Sequence, residues 1–379
     1  MPAGRVARAL AGVLGLAALT LLAACSGPEK AQPAALPKSL PLVNARLVWR
    51  SEVGTVDFPL ELRVVGNQIL VAGSDGTVAA IDLDHGTDVW RTKLDSPLSA
   101  GVGSDGRYAA VVSRNNELIV LDAGHEVWRQ RLTASSRTAP LVAGGRVFTL
   151  TGDRTVQAFD LASGRPLWQQ AQRGADALVL GQGGLLIAVR DTLVAGIGGR
   201  VTGLDPLSGV TRWESTVASS RGTNEVERLS DVVAGYSRVG DQICVRAYQY
   251  AVACVDAASG QLAWTKPAVG STGISGDAST LFGTELDGRV VAWKRSDGER
   301  LWTSSSLRYR NLSAPLLTGH SVVLGDNEGN LLFLARDDAS LLNRLLTDGS
   351  PITVAPVIGP KLTLVAVTRQ GGVFAYRPE

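Results

Sequence analysis

Five aspartates recur at one position of an internal repeat: Asp82, Asp122, Asp160, Asp205 and Asp256. A carboxylate does acid/base work when a distinct partner group tunes it. Copies that recur with a repeat serve turn hydrogen bonding instead. The three histidines, His85, His125 and His320, fall in different repeats, and the first two sit at turns. They offer no metal-ligand spacing. Cys-x-x-Cys, His-Glu-x-x-His and Gly-x-Ser-x-Gly are all missing from the chain. Gly181-Gln-Gly-Gly184 and Gly196-Ile-Gly-Gly199 lack both the spacing and the following helix of a phosphate loop, and read as strand-junction turns. The residue types therefore nominate no catalytic group, no metal ligand and no cofactor-binding residue. Cys244 and Cys254 flank a hairpin centred near Gln249 and should face each other across two strands. In an oxidising compartment they form a disulfide; otherwise they are two buried thiols.

The third cysteine, Cys25, closes the stretch Leu22-Ala23-Ala24-Cys25. Arg5 and Arg8 give a basic start, and Ala9 to Ala24 follow without a charge. That run is too short to span a bilayer and reads as the apolar region of a cleaved export signal. The order Leu-Ala-Ala-Cys resembles the lipobox of bacterial lipoproteins, which implies cleavage before Cys25 and lipid on its thiol. A soluble secreted protein with an incidental Cys25 is the alternative. Ser26 follows where an aspartate would imply inner-membrane retention, so the outer membrane, periplasmic face, is the expected location. The chain then divides into a signal peptide at 1–24, a lipidated tether at 25–44 carrying Pro28, Pro33, Pro37 and Pro41, and a folded domain at 45–379.

A net charge of +2 without a Lys/Arg run gives no support to nucleic acid as a ligand. Forty-three glycines with 5% aromatics, amid short Val, Leu and Thr runs, is the composition of an all-β chain rich in tight turns. Seven tryptophans, Trp49, Trp90, Trp128, Trp168, Trp213, Trp264 and Trp302, recur at roughly forty residues, the period of a propeller array. Each closes one phrase, as in Arg154-Thr-Val-Gln-Ala-Phe-Asp-Leu-Ala-Ser-Gly-Arg-Pro-Leu-Trp168, which reads as a hairpin whose second strand carries the Trp. Two short strands precede it, as in 139–142 and 146–150. Four strands make one antiparallel blade, which must bury its faces against its neighbours. The remaining tryptophan, Trp293, occupies an interior strand. A degenerate copy puts Asn343 where Trp belongs, and a final copy stops at Tyr376. Eight blades result if the strand around Trp49 completes the last one and closes the ring.

The phrase Val201-Thr-Gly-Leu-Asp-Pro-Leu-Ser-Gly-Val-Thr-Arg-Trp213 resembles the propeller repeat of pyrroloquinoline-quinone (PQQ) dehydrogenases. Those enzymes need an adjacent cysteine pair and calcium-binding carboxylates that this chain lacks. Lipobox, tether and eight repeats together resemble the BamB family, lipoproteins of the outer-membrane β-barrel assembly (Bam) complex. More specifically, Gly222-Thr-Asn-Glu-Val-Glu-Arg-Leu-Ser-Asp231 is similar to that family's acidic loop, and it falls in the longest interval between tryptophans. The resemblance implies a non-catalytic scaffold that docks on the POTRA domains of BamA and assists insertion of outer-membrane proteins, with nascent clients as further partners. Arg228 and Asp231 would make polar contacts, and Leu178, Val179 and Leu180 would form a neighbouring apolar loop. Family members can carry arginine where Leu180 stands and an acidic residue where Val233 stands. Residues 178–180 also read as the innermost strand of blade four. The competing class is a PQQ-type or sugar-acting propeller enzyme.

Overall fold

The computed structural model describes residues 31–37, 42–171, 182–218 and 230–379. Among the described residues the strands form eight four-stranded antiparallel sheets. Blades one to seven occupy 63–93, 103–131, 141–171, 186–216, 237–267, 275–304 and 316–346. Blade eight combines Val357–Ile358, Leu364–Val367 and Gly372–Pro378 with the N-terminal strand Ala45–Glu52, which pairs with Gly372–Pro378 and closes the ring. Closure in this way removes the two free sheet edges that an open array would leave. In each blade the first strand is innermost, where it meets the first strands of neighbouring blades, and the Trp strand is outermost.

The repeated phrase packs by one rule. Its glycine adopts positive φ after the aspartate turn, and the bare backbone there lets the Trp of the preceding blade lie against it. Thus Gly86 meets Trp49, Gly164 meets Trp128, Gly209 meets Trp168, Gly260 meets Trp213 and Gly298 meets Trp264. Five indoles also donate Nε1–H to a backbone carbonyl of the next blade: Trp49 to Leu83, Trp128 to Leu161, Trp168 to Pro206, Trp264 to Arg295 and Trp302 to Arg336, at 2.8–3.1 Å. The turns themselves are held by the aspartates. Asp82, Asp160, Asp205 and Asp256 accept backbone N–H bonds from residues two or three positions on. Between blades, side chains such as Leu118, Val120, Val147 and Phe159 form continuous apolar layers.

Blade seven departs from the rule for a physical reason. Its partner, blade eight, takes its outermost strand from Ala45–Glu52, so no glycine turn joins its third and fourth strands and an indole would have nothing to cover. Asn343 stands there instead and donates its Nδ2–H to the carbonyl of Val43. The segment ahead of the closing strand is therefore held to the ring. Leu42 N–H bonds to Leu342 O at 2.9 Å, Ala34 N–H bonds to Arg308 O at 2.9 Å, and Leu36 packs on the apolar layer of blades six and seven.

Candidate docking face

Each outermost strand ends on the same face of the ring as the turn joining its blade's second and third strands. The interblade loops therefore share a face with those turns, and hydrogen bonds link the two sets. Gly152 N–H bonds to Ser135 O, Tyr248 N–H to Asp231 O, and Asn327 N–H to Arg310 O. Both segments singled out in the sequence fall between blades in chain order, and the described residues that flank them, up to 171 and from 182, and up to 218 and from 230, lie at this face. One leads from blade three into blade four, the other from blade four into blade five.

Their roots are joined. Gly184 and Val233 form an antiparallel bridge, Ala234 N–H bonds to Gly183 O at 2.8 Å, and Val232 N–H bonds to Gly198 O at 2.9 Å. Asp231 ends the second loop with its side chain 15% exposed, and its Oδ1 lies 3.4 Å from Nη2 of Arg154, itself 13% exposed. Arg154 escaped sequence reasoning, although it carries a signal. It adopts φ 61° in the turn where four other blades place Gly76, Gly288, Gly329 and Gly371. A bulky residue kept in the left-handed region marks a position where the side chain matters more than the strain. Here its guanidinium reaches across to a blade-five loop. Beneath the pair lies a cavity of about 120 Å³ lined by Arg137, Thr138, Thr151, Arg154, Gln182 and Asp231 among others. It is large enough for one side chain or a few waters, with Arg and Thr groups to hydrogen-bond them.

Cys25, Leu178, Val179, Leu180 and Arg228 lie outside the described residues. The innermost strand of blade four is Leu186–Val189, several residues beyond the position at which the sequence also allowed it. Val233, where the family can carry a second acid, is buried at the loop root. Cys244 and Cys254 are direct cross-strand partners joined as a disulfide, with Cα atoms 4.0 Å apart. The three histidines lie in blades one, two and seven. Among the described residues no group of three or more His, Cys, Asp or Glu comes together as a metal site.

Toward the axis, loops entering blades one, four and five converge. Gly183 stands where a Cβ would meet both Pro59 and Ala234 at about 3.5 Å. Glu61 is exposed to water, yet the loops crowded around it raise its carboxyl to about 7, against the pull of Arg63. The same crowding raises the Tyr236 hydroxyl. Between blades five and six, Arg246 and Glu285 form a buried pair at 3.6 Å, with the guanidinium 5.7 Å from the Trp293 ring. Burial lowers the Arg246 pKa while Glu285 opposes the shift.

The architecture and repeat define the class: an eight-bladed propeller of the PQQ-like kind, whose blades interlock through Trp and Gly. A family model described as "Outer membrane protein assembly factor BamB" matches residues 74–304. The protein of that name from Burkholderia pseudomallei is 35% identical over 98% of both chains. The crystal structure of BamB from Moraxella catarrhalis superposes with a TM-score of 0.79 at 25% identity, covering 88% of this chain and 100% of that one. A quinohemoprotein alcohol dehydrogenase from Comamonas testosteroni shares the fold at 14% identity and a TM-score of 0.70, over 89% of this chain and 77% of its own. The chain belongs to the BamB family of outer-membrane protein assembly factors.

Proposed function

We propose that this protein is a non-catalytic scaffold lipoprotein of the outer-membrane β-barrel assembly complex. It is anchored through Cys25 at the periplasmic face of the outer membrane, docks on the POTRA domains of BamA and assists insertion of outer-membrane proteins. The observation that carries the docking reading is the joined root of the two interblade loops. The Gly184–Val233 bridge and the Arg154–Asp231 pair join the described ends of the two segments, at 182–184 and 230–234, into one base. An interface of this kind combines an apolar centre with charged residues that set orientation. Arg228 and residues 178–180 are the contacts. Asp231, mostly covered and paired with Arg154, holds the loop in position.

Co-purification from detergent-solubilised membranes tests the reading. Arg228→Glu should reduce recovered BamA, and Leu178→Asp or Leu180→Asp should do likewise by placing a charge against an apolar surface. Removing one member of a charge-assisted pair at an interface costs about 2 kcal/mol or more when its partner stays buried, and less at a rim. Full recovery of BamA by all three folded variants would reject this face as the docking surface. Cys25→Ala should move the protein from the membrane to the soluble fraction.

A further inference from the structure

We propose that the sector of this face over blades five to seven lies against the phospholipid surface that anchors the protein. The inference rests on Cys25 carrying the lipid, as proposed above. The chain is fixed to the ring well before the closing strand begins. Arg310, almost fully buried, donates from Nη1 to Ala34 O at 2.6 Å while its Nε bonds to Asp326 at 2.9 Å and its Nη2 pairs with Glu328. Ala34 N–H in turn bonds to Arg308 O. Only eight residues lie between Cys25 and Ala34, so the nine steps reach at most about 30 Å at ~3.4 Å each. A tether free up to residue 45 would reach roughly twice as far and leave any face free to approach the bilayer. The strands put about 20 Å between the two faces of the ring, so the short reach favours the face on which Ala34 is held.

That face carries a matching surface beside Ala34. Val269, Leu286 and Tyr309 are 48%, 50% and 39% exposed. They are contiguous: Leu286 N–H bonds to Val269 O, and Tyr309 N–H bonds to Asp287 O in the same turn as Leu286. Arg308, whose carbonyl takes the Ala34 bond, lies over the Tyr309 ring at 5.0 Å. Arg308 also pairs with Asp287 at 3.1 Å, so the cation is partly neutralised, and it is the two aliphatic side chains and the aromatic ring with its polar tip that suit the boundary between lipid headgroups and acyl chains. Tyr248 N–H bonds to Asp231 O and Gln249 N–H to Gly270 O, so this patch runs continuously into the docking loops. The membrane side and the partner side are then neighbouring sectors of one face.

The test uses the full-length lipidated protein in phospholipid vesicles. Leu286→Cys and, separately, Tyr309→Cys are labelled with an environment-sensitive fluorophore. Leu207→Cys on the opposite face serves as the control; that side chain is 64% exposed in the hairpin turn of blade four. Phospholipid spin-labelled near the headgroup should quench the reporters at 286 and 309 about twofold or more strongly than the one at 207. Equal quenching at all three sites, or stronger quenching at 207, in protein that floats with the vesicles would overturn the orientation and leave the anchor standing. Failure of the lipidated protein to float would overturn the anchor, and this inference with it.

Discussion

The interlock of Trp and Gly between blades predicts a sharp difference between two glycine-to-alanine substitutions in blade three. Gly164 has φ +71°, and a Cβ there would lie 2.6 Å from Cδ2 of Trp128, whose Nε1–H donates to Leu161 O at 2.8 Å. Gly144 has φ +58° with nothing within 4 Å of its Cβ position. Both alanines incur the left-handed backbone penalty of about 1–2 kcal/mol. Only Gly164→Ala also drives a methyl group into the indole, which adds about 1–3 kcal/mol of overpacking and strains a hydrogen bond whose net contribution is about 1 kcal/mol. Gly164→Ala should therefore cost roughly 2–3 kcal/mol more than Gly144→Ala. Urea unfolding, followed by Trp fluorescence and by far-ultraviolet circular dichroism, reads the difference, and coincidence of the two signals licenses a free-energy comparison. Equal midpoints for the two variants would show that the glycine serves only its own turn.

The buried pair between blades five and six should behave asymmetrically. Glu285→Gln strands the Arg246 guanidinium and should cost about 3–5 kcal/mol, whereas Arg246→Met combined with Glu285→Leu should recover most of that loss. Neutral behaviour of the single variant in the same unfolding assay would contradict the pairing. Glu61 supplies a pH dependence. Its folded carboxyl titrates at about 7 against 4.5 for the free group, so its contribution is fully present below pH 4.5 and is lost as the pH rises through 7. Because Glu61 is exposed, solvent screening makes the slope shallow, and Glu61→Gln should flatten the melting temperature between those pH values. An unchanged pH profile would show that the converging loops leave this carboxyl solvated.

The propeller was legible because the information that builds it is local and repeated. One phrase carries the aspartate that holds a turn, the glycine that permits it and the Trp that covers the next blade's glycine. The ring closure followed from an unaccompanied Trp49 strand at one end and a blade lacking its last strand at the other. Even the replacement of Trp at position 343 has its cause in that closure, since blade eight offers no glycine turn to cover. Interactions between distant, unrepeated residues were not legible. Arg154 and Asp231 meet across 77 positions, and only the odd placement of an arginine in a glycine turn hinted at it. The hold on Ala34 by Arg310 was hidden as well, because a proline-bearing stretch with no apolar period looks the same whether it is free or pinned. The cysteine pair stood between: the hairpin register brought the residues opposite each other, while the sulfur bond depends on the compartment.

The central claim is that the segments 172–181 and 219–231 form the surface that meets BamA. Site-specific photo-crosslinking tests it most directly, with a photoreactive amino acid in place of Leu180 or Arg228 and, as controls, in place of Leu301 or Leu346 on the outer strands of blades six and seven. Irradiation in intact cells should yield a BamA adduct from positions 180 and 228 and none from 301 and 346. Adducts to BamA that arise only from the outer-strand positions would contradict the account.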